Sequence, residues 1–296
     1  MKKIIFLLIF LCLPLVSATE DCGLLNLATC IPQKIFEFLI YLLNAPLAPL
    51  LTLVQSLLTE PVDISLFGSI WAIMIYILSL FYGFLMLYSG FNFMFSGHDA
   101  VRREKAKEWF RNTIIMIVLI QASYFLYSLV IDISSLVTNA TINLISQTFF
   151  QLTIDNIVNV GLQFFFALFY VLILFLSALI LTIRYLIVAF GVALLPFGIF
   201  FYFVPPLKSY GKLILNFLGV CIFVTFFDAV IFLVSSKLLT IPIFASMKIL
   251  VMISAFSIAN ILMLYLMFFS IIKSALEATN GATGAIILAT KYFASP

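Results

Sequence analysis

Charge is what this sequence has least of. Only 9% of its 296 residues are Asp, Glu, Lys or Arg, against 65% that are hydrophobic. Soluble domains carry about 25% charged residues, so a water-exposed globule of this length cannot be covered from such a supply. Histidine is represented once, by His98, and the four cysteines have no metal-ligand spacing. A zinc site, which draws on several Cys and His ligands, is therefore not expected. Also missing are HExxH, a set of paired aspartates, a serine with a histidine base, a Walker motif and a dinucleotide fingerprint. Without these the chain has no means of hydrolysing nucleotide itself, an intramembrane enzyme has no catalytic set, and no cofactor is expected.

What is present is apolar length. Phenylalanine alone occurs 34 times, and runs near the 20 residues needed to cross a bilayer recur along the chain. The expected fold is all-α, a polytopic transmembrane helical bundle of about six spans in a cell membrane. The opening "MKKIIFLLIFLCLPLVSATE" has Lys2 and Lys3, a short apolar stretch and Val16-Ser17-Ala18, the pattern of a cleaved signal peptide over 1–18. An exported segment, 19–34, would follow. Its Cys22 and Cys30 are a candidate disulfide or two unpaired thiols.

Six runs are long enough to span, at about 66–95, 110–136, 158–182, 186–204, 213–236 and 249–272. A seventh stretch, 35–59, is interrupted by Asn44, Pro46 and Pro49, and proline breaks the helical hydrogen-bond pattern. Charge decides how to place it. "SGHDAVRREKAKEWFRN", Ser96 to Asn112, gathers Arg102, Arg103, Lys105, Lys107 and Arg111 in one turn of a hairpin spanning 66–136. The positive-inside rule puts that turn in the cytoplasm, which requires 35–59 to be re-entrant or interfacial. The loop 137–157 then lies outside; it has no Lys or Arg. Its Asn139-Ala140-Thr141 is a candidate glycosylation sequon. A four-span bundle over 158–272 follows, with Arg184 on a tight cytoplasmic turn or within one long bent helix, and then a tail, 273–296. With the tight turn, Lys208 and Lys212 fall on the unfavourable side.

Charges inside spans are costly and face protein or water. Asp132, Arg184 and Asp228 are the candidates. They are a pore lining or an ion relay in one reading. In the other, which the shortage of deep acids favours, they are structural, with Asp228 satisfied by Arg184 or a backbone group. Ser79, Gly83, Ser89 and Gly90 mark a span whose backbone a neighbour can approach, within the subunit or between subunits. In the basic turn, Ser96-x-x-Asp99 matches a capping box, and Arg103, Lys107 and Arg111 form a stripe at i, i+4 and i+8. Membrane lipid headgroups are the expected partner of that stripe; nucleic acid or a cytoplasmic ATPase is the sharper alternative.

The hairpin "YGFLMLYSGFNFMFSGHDAVRREKAKEWFRNTIIMIVLIQASYFLYSLVIDISSLVTNAT" resembles one in type IV secretion membrane components, a Gly-containing span, a basic turn and a second span ending in Ser, Thr and Asn. The later "IRYLIVAFGVALLPFGIFFYFVPPLKSYGKLILNFLGVCIFVTFFDAVIFLVSSKLL" is similar to the TrbL-like polytopic channel family and its archaeal CedA-like relatives. The matching features are Arg184, Pro196 and Pro205-Pro206. The resemblance covers roughly residues 66–275. It implies a channel or scaffold subunit of a conjugation or DNA-uptake apparatus, a homo-oligomer working with a cytoplasmic ATPase and a pilin, with nucleic acid only as cargo. A self-contained small-molecule or ion transporter is the alternative.

Overall fold

The computed structural model describes Phe38, Tyr41, Ala45 and residues 47–96, 100–146, 149–150, 160–245 and 247–293; the side chains of 160–164, 245, 270 and 273–293 are not described. The chain divides into two units at Pro46 and Leu47. In the first, Phe38, Tyr41 and Ala45 are helical; the signal peptide, Cys22 and Cys30 lie outside the described residues. Everything below concerns the second unit.

Helices are the only regular elements among that unit's described residues, and five of them are long and apolar enough to cross a membrane. It is a polytopic helical membrane bundle. A shorter apolar helix, α1 (Leu47–Thr59), comes before the five; Asn44 and Pro46, where the stretch 35–59 was expected to break, lie outside the described residues. Pro49 is helical, near the start of this described stretch. The other end of α1 is held from outside: Ser135 Oγ donates to the Thr59 carbonyl at 2.6 Å. Asp63 then accepts from both the N–H and the hydroxyl of Ser65. These bonds hold its carboxyl below the usual carboxylate range and start the turn Ser65–Phe67 that leads into α2 (Gly68–Phe95).

The hairpin partner α3 (Ala100–Ile142) runs two turns further than the apolar run that predicts it. Its last hydroxyls explain the extension. Thr138 and Thr141 donate to the carbonyls of Ser134 and Val137 four residues back, so these polar side chains are satisfied within the helix and need no loop. The expected loop thus begins later than 137.

The principal departure from expectation is α4 (Val160–Phe203), 44 residues in one helix. It joins the runs 158–182 and 186–204, so Arg184 lies inside a helix and not on a tight turn. Nothing in "LTIRYLIVAF" breaks a helix; one charged residue lowers hydropathy without disturbing the backbone. Pro196 is accommodated within the same helix. At about 66 Å, α4 either tilts steeply or continues past the hydrocarbon. Three long helices therefore stand where four spans were expected: α4, α5 (Lys208–Leu238) and α6 (Lys248–Phe293). The last continues through most of the expected tail.

Side-chain contacts give the directions. Trp71 meets Ser123 and Tyr88 meets Trp109, so α2 and α3 are antiparallel. Phe67 meets Phe190 and Phe81 meets Phe200, so α2 and α4 are parallel. Arg184 reaches Cys221 while Gly198 lies against Ile214 and Gly211 against Tyr202, making α4 and α5 antiparallel. Tyr170 meets Phe256 and Asn260 meets Ser177, making α4 and α6 parallel. Direction alternates through all five.

The centre is filled. Phe232, Phe150 and Tyr170 all pack on Phe256, with ring centroids 4.7, 6.3 and 5.8 Å away. Met252, Leu174 and Val188 are fully buried beside them. In lipid there is little hydrophobic drive between helices, so this interlocking and the hydrogen bonds between helices hold the bundle.

Candidate functional site

The polar residues of the interior converge where α3, α4 and α5 meet. Arg184 is buried, and its guanidinium donates from Nε to the Cys221 carbonyl at 2.7 Å and from Nη2 to the Ile222 carbonyl at 3.0 Å. Ser134 of α3 donates to that same Ile222 carbonyl at 2.9 Å. Tyr127, also on α3, donates to the Val188 carbonyl at 2.6 Å, one turn of α4 beyond Arg184. A cation that would cost several kcal/mol unpaired in lipid is thus held by charge-assisted bonds to two backbone oxygens. The arrangement ties three helices together at one level.

This approach depends on a missing side chain. A Cβ on Gly191 would overlap the Tyr127 hydroxyl. Further along the same pair of helices, a Cβ on Gly211 would run into the backbone N and Cα of Tyr202 and come within 2.8 Å of the Gly198 carbonyl. Helices α4 and α5 therefore approach backbone to backbone, the contact that small residues permit in membranes.

Asp228 does not fulfil the expectation of a satisfied acid. It is 2% exposed, and its Oδ1 has no hydrogen-bond partner among the described residues. Arg184 is near enough to act on it electrostatically but makes no ion pair with it; the guanidinium is engaged by carbonyls six and seven residues earlier in α5. Asp132 is not part of this cluster. It is exposed on α3 and accepts only a long bond, 3.4 Å, from Ser128 on its own helix.

The basic turn divides into two sets. Arg102 and Lys105 line a cleft of about 310 Å³ against the end of α2, with buried Ala106 and half-buried Trp109 on the same face of α3. Arg103, Lys107 and Arg111 are exposed and lie off that cleft. Ser96 belongs to the preceding helix: its hydroxyl donates to the Phe93 carbonyl at 2.9 Å, and Asp99 and His98 lie outside the described residues. Asn139 is exposed on a helix and accepts from the Asn143 amide, whereas a sequon was expected on a loop.

Sequence reasoning missed the uncharged polar residues that join the helices: Trp71 to Ser123, Asn260 to Ser177, and Tyr127 and Ser134 to backbone carbonyls. The signal was there, a hydroxyl or amide in the middle of an apolar run. What identifies each partner is distance in space, since these pairs lie 52 to 88 residues apart. Among the described residues no group of three His, Cys, Asp or Glu side chains is placed to hold a metal. No protein-family model, curated protein or solved structure matches the chain.

Proposed function

We propose that this membrane protein is a non-enzymatic channel or scaffold subunit of a type IV secretion-like apparatus that moves DNA or protein across a prokaryotic cell membrane. The observation that carries the reading is the contrast between a bundle centre filled by Phe256 and its neighbours and a helix, α2, that meets α3 and α4 along one side and leaves most of its surface uncovered. Only 6% of the most apolar window of α2 is buried, against 44% for α5. A passage through the filled centre would require it to be emptied, whereas a passage between copies would use the free faces. Gly83 and Gly90 support this: a Cβ at either position would meet nothing within 4 Å, so packing inside the subunit does not call for glycine there.

The alternating helix directions bear on sidedness. If the basic turn is cytoplasmic, a single crossing by α4 returns the chain to the cytoplasm at Pro205. Lys208 and Lys212, on the unfavourable side of a six-span arrangement, then join Arg102 and Lys105 on the favoured one. Lys237 and Lys248 move outside in exchange.

The alternative, a self-contained transporter, draws its support from the unpartnered Asp228. The engagement of Arg184 by backbone carbonyls weighs against it, because a relay needs groups able to exchange partners. The test is to purify the full chain from its own membranes in mild detergent and measure its mass, its companions and its activity in liposomes. The proposal expects a homo-oligomer accompanied by a cytoplasmic ATPase and inert on its own. A monomer that alone catalyses substrate-dependent flux would overturn it.

A further inference from the structure

The cleft at the tip of the α2–α3 hairpin has a chemistry of its own. Arg102 and Lys105 stand at i and i+3 on α3, with buried Ala106 next to Lys105 and Trp109 one turn further. Across from them α2 contributes Tyr88 and Asn92, and the Tyr88 and Trp109 rings meet edge to face with centroids 5.3 Å apart. Glu104 and Glu108, at i+2 and i+6 from Arg102, do not line it. The cleft therefore joins two cations to an amide, a phenol and a pair of touching aromatic rings. Its volume, about 310 Å³, is at the small end of the range for ligand sites.

What lies beside it narrows the ligand further. Leu87, Phe91 and Met94 are exposed on the adjacent face of α2, an apolar strip about 10 Å long from the helical rise between its first and last residues. A soluble anion has no use for that strip, whereas a molecule with a phosphate at one end and hydrocarbon at the other fits both. The aromatic pair is of the kind that sits at headgroup level in membrane proteins.

We infer that this cleft binds the phosphate of an anionic phospholipid, with Arg102 and Lys105 as its cationic partners and the Leu87, Phe91 and Met94 strip carrying an acyl chain. The site is independent of what the assembly transports. It also separates the roles of the five cations of the turn, two for a bound lipid and three for the general surface.

The full chain, reconstituted in phosphatidylcholine vesicles with and without phosphatidylglycerol, can be extracted and weighed by native mass spectrometry to count retained lipid. Wild type should keep phosphatidylglycerol over phosphatidylcholine. R102Q/K105Q should lose it, at roughly fivefold per cation and so roughly 25-fold together. R103Q/K107Q, with the same change in net charge, should retain it and shows that the loss is local. The same extraction in millimolar sn-glycerol 3-phosphate distinguishes the sources: retention supports the lipid with its chain, and complete displacement overturns the lipid assignment in favour of the free phosphate group. Equal retention by R102Q/K105Q and wild type, or equal loss in both double variants, would overturn the site altogether.

Discussion

Two regions of this protein are built from almost the same residues and behave differently. Helices α4, α5 and α6 bury 39 to 44% of their most apolar windows, whereas α2 buries 6%, although all four are apolar runs of Phe, Leu and Ile with scattered Gly and Ser. The difference lies in where the small and polar residues face. In α4 and α5, a Cβ on Gly191 or Gly211 would fall where another residue's atoms already are, and Arg184 donates across the close approach between the two helices. In α2, Gly83 and Gly90 face open space. Hydrophobicity selects the membrane for both regions; the packed core is selected by close approach and by hydrogen bonds between helices.

Substitutions that add or remove those features should separate the regions. The largest effect is expected for Gly211→Ala, whose Cβ meets backbone that cannot rotate away. Overpacking of this kind costs about 1–3 kcal/mol, near the upper end here, read as a lower midpoint of thermal unfolding in detergent. Next is Arg184→Met, which removes two charge-assisted bonds and leaves Asp228 without a nearby cation; a loss of about 2 kcal/mol is expected by the same measurement. Asp228→Asn should then restore part of that loss in the double variant while changing little alone, because Oδ1 has no bond to lose; a double-mutant cycle reads the coupling. Tyr127→Phe removes a single interhelical bond and should cost about 1 kcal/mol, in the range measured for such bonds in membranes. The smallest effect is expected for Gly83→Ala and Gly90→Ala, within about 0.5 kcal/mol on stability. Their consequence should instead appear as weaker cross-linking between copies. A large loss of stability in these two, or none in Gly211→Ala, would erase the distinction between the regions.

Much of this architecture was legible in residue order. The helical membrane class, the hairpin over 66–136 and the spans near 213–236 and 249–272 follow from apolar run length, which a bilayer imposes directly. The choice left open at Arg184, a tight turn or one long helix, has a physical answer. Hydropathy registers the guanidinium as a break, but helix continuity depends on the backbone, and no Gly, Pro or Asn stands nearby to interrupt it. Pro196 shows the converse, a breaker by type that the helix absorbs. The interior site was legible only as a set of suspects. Asp132, Arg184 and Asp228 were singled out by charge, yet the first proves to be exposed and the other two do not pair. Tyr127 and Ser134, which complete the cluster, carry no charge to attract notice. In the basic turn the cations stood out at once, but their division between cleft and open surface depends on which face of α3 meets α2.

The continuity of α4 underlies the rest of the account, since a helix that crosses once sets the direction of everything after it. Its most direct test is to introduce single cysteines at Lys105→Cys, Lys208→Cys and Phe244→Cys and to label intact cells with a membrane-impermeant thiol reagent. With one crossing by α4, positions 105 and 208 share a side and are protected, while 244 is labelled from outside. Labelling of 208 with protection of both 105 and 244 would contradict it, and would restore a second crossing at Arg184.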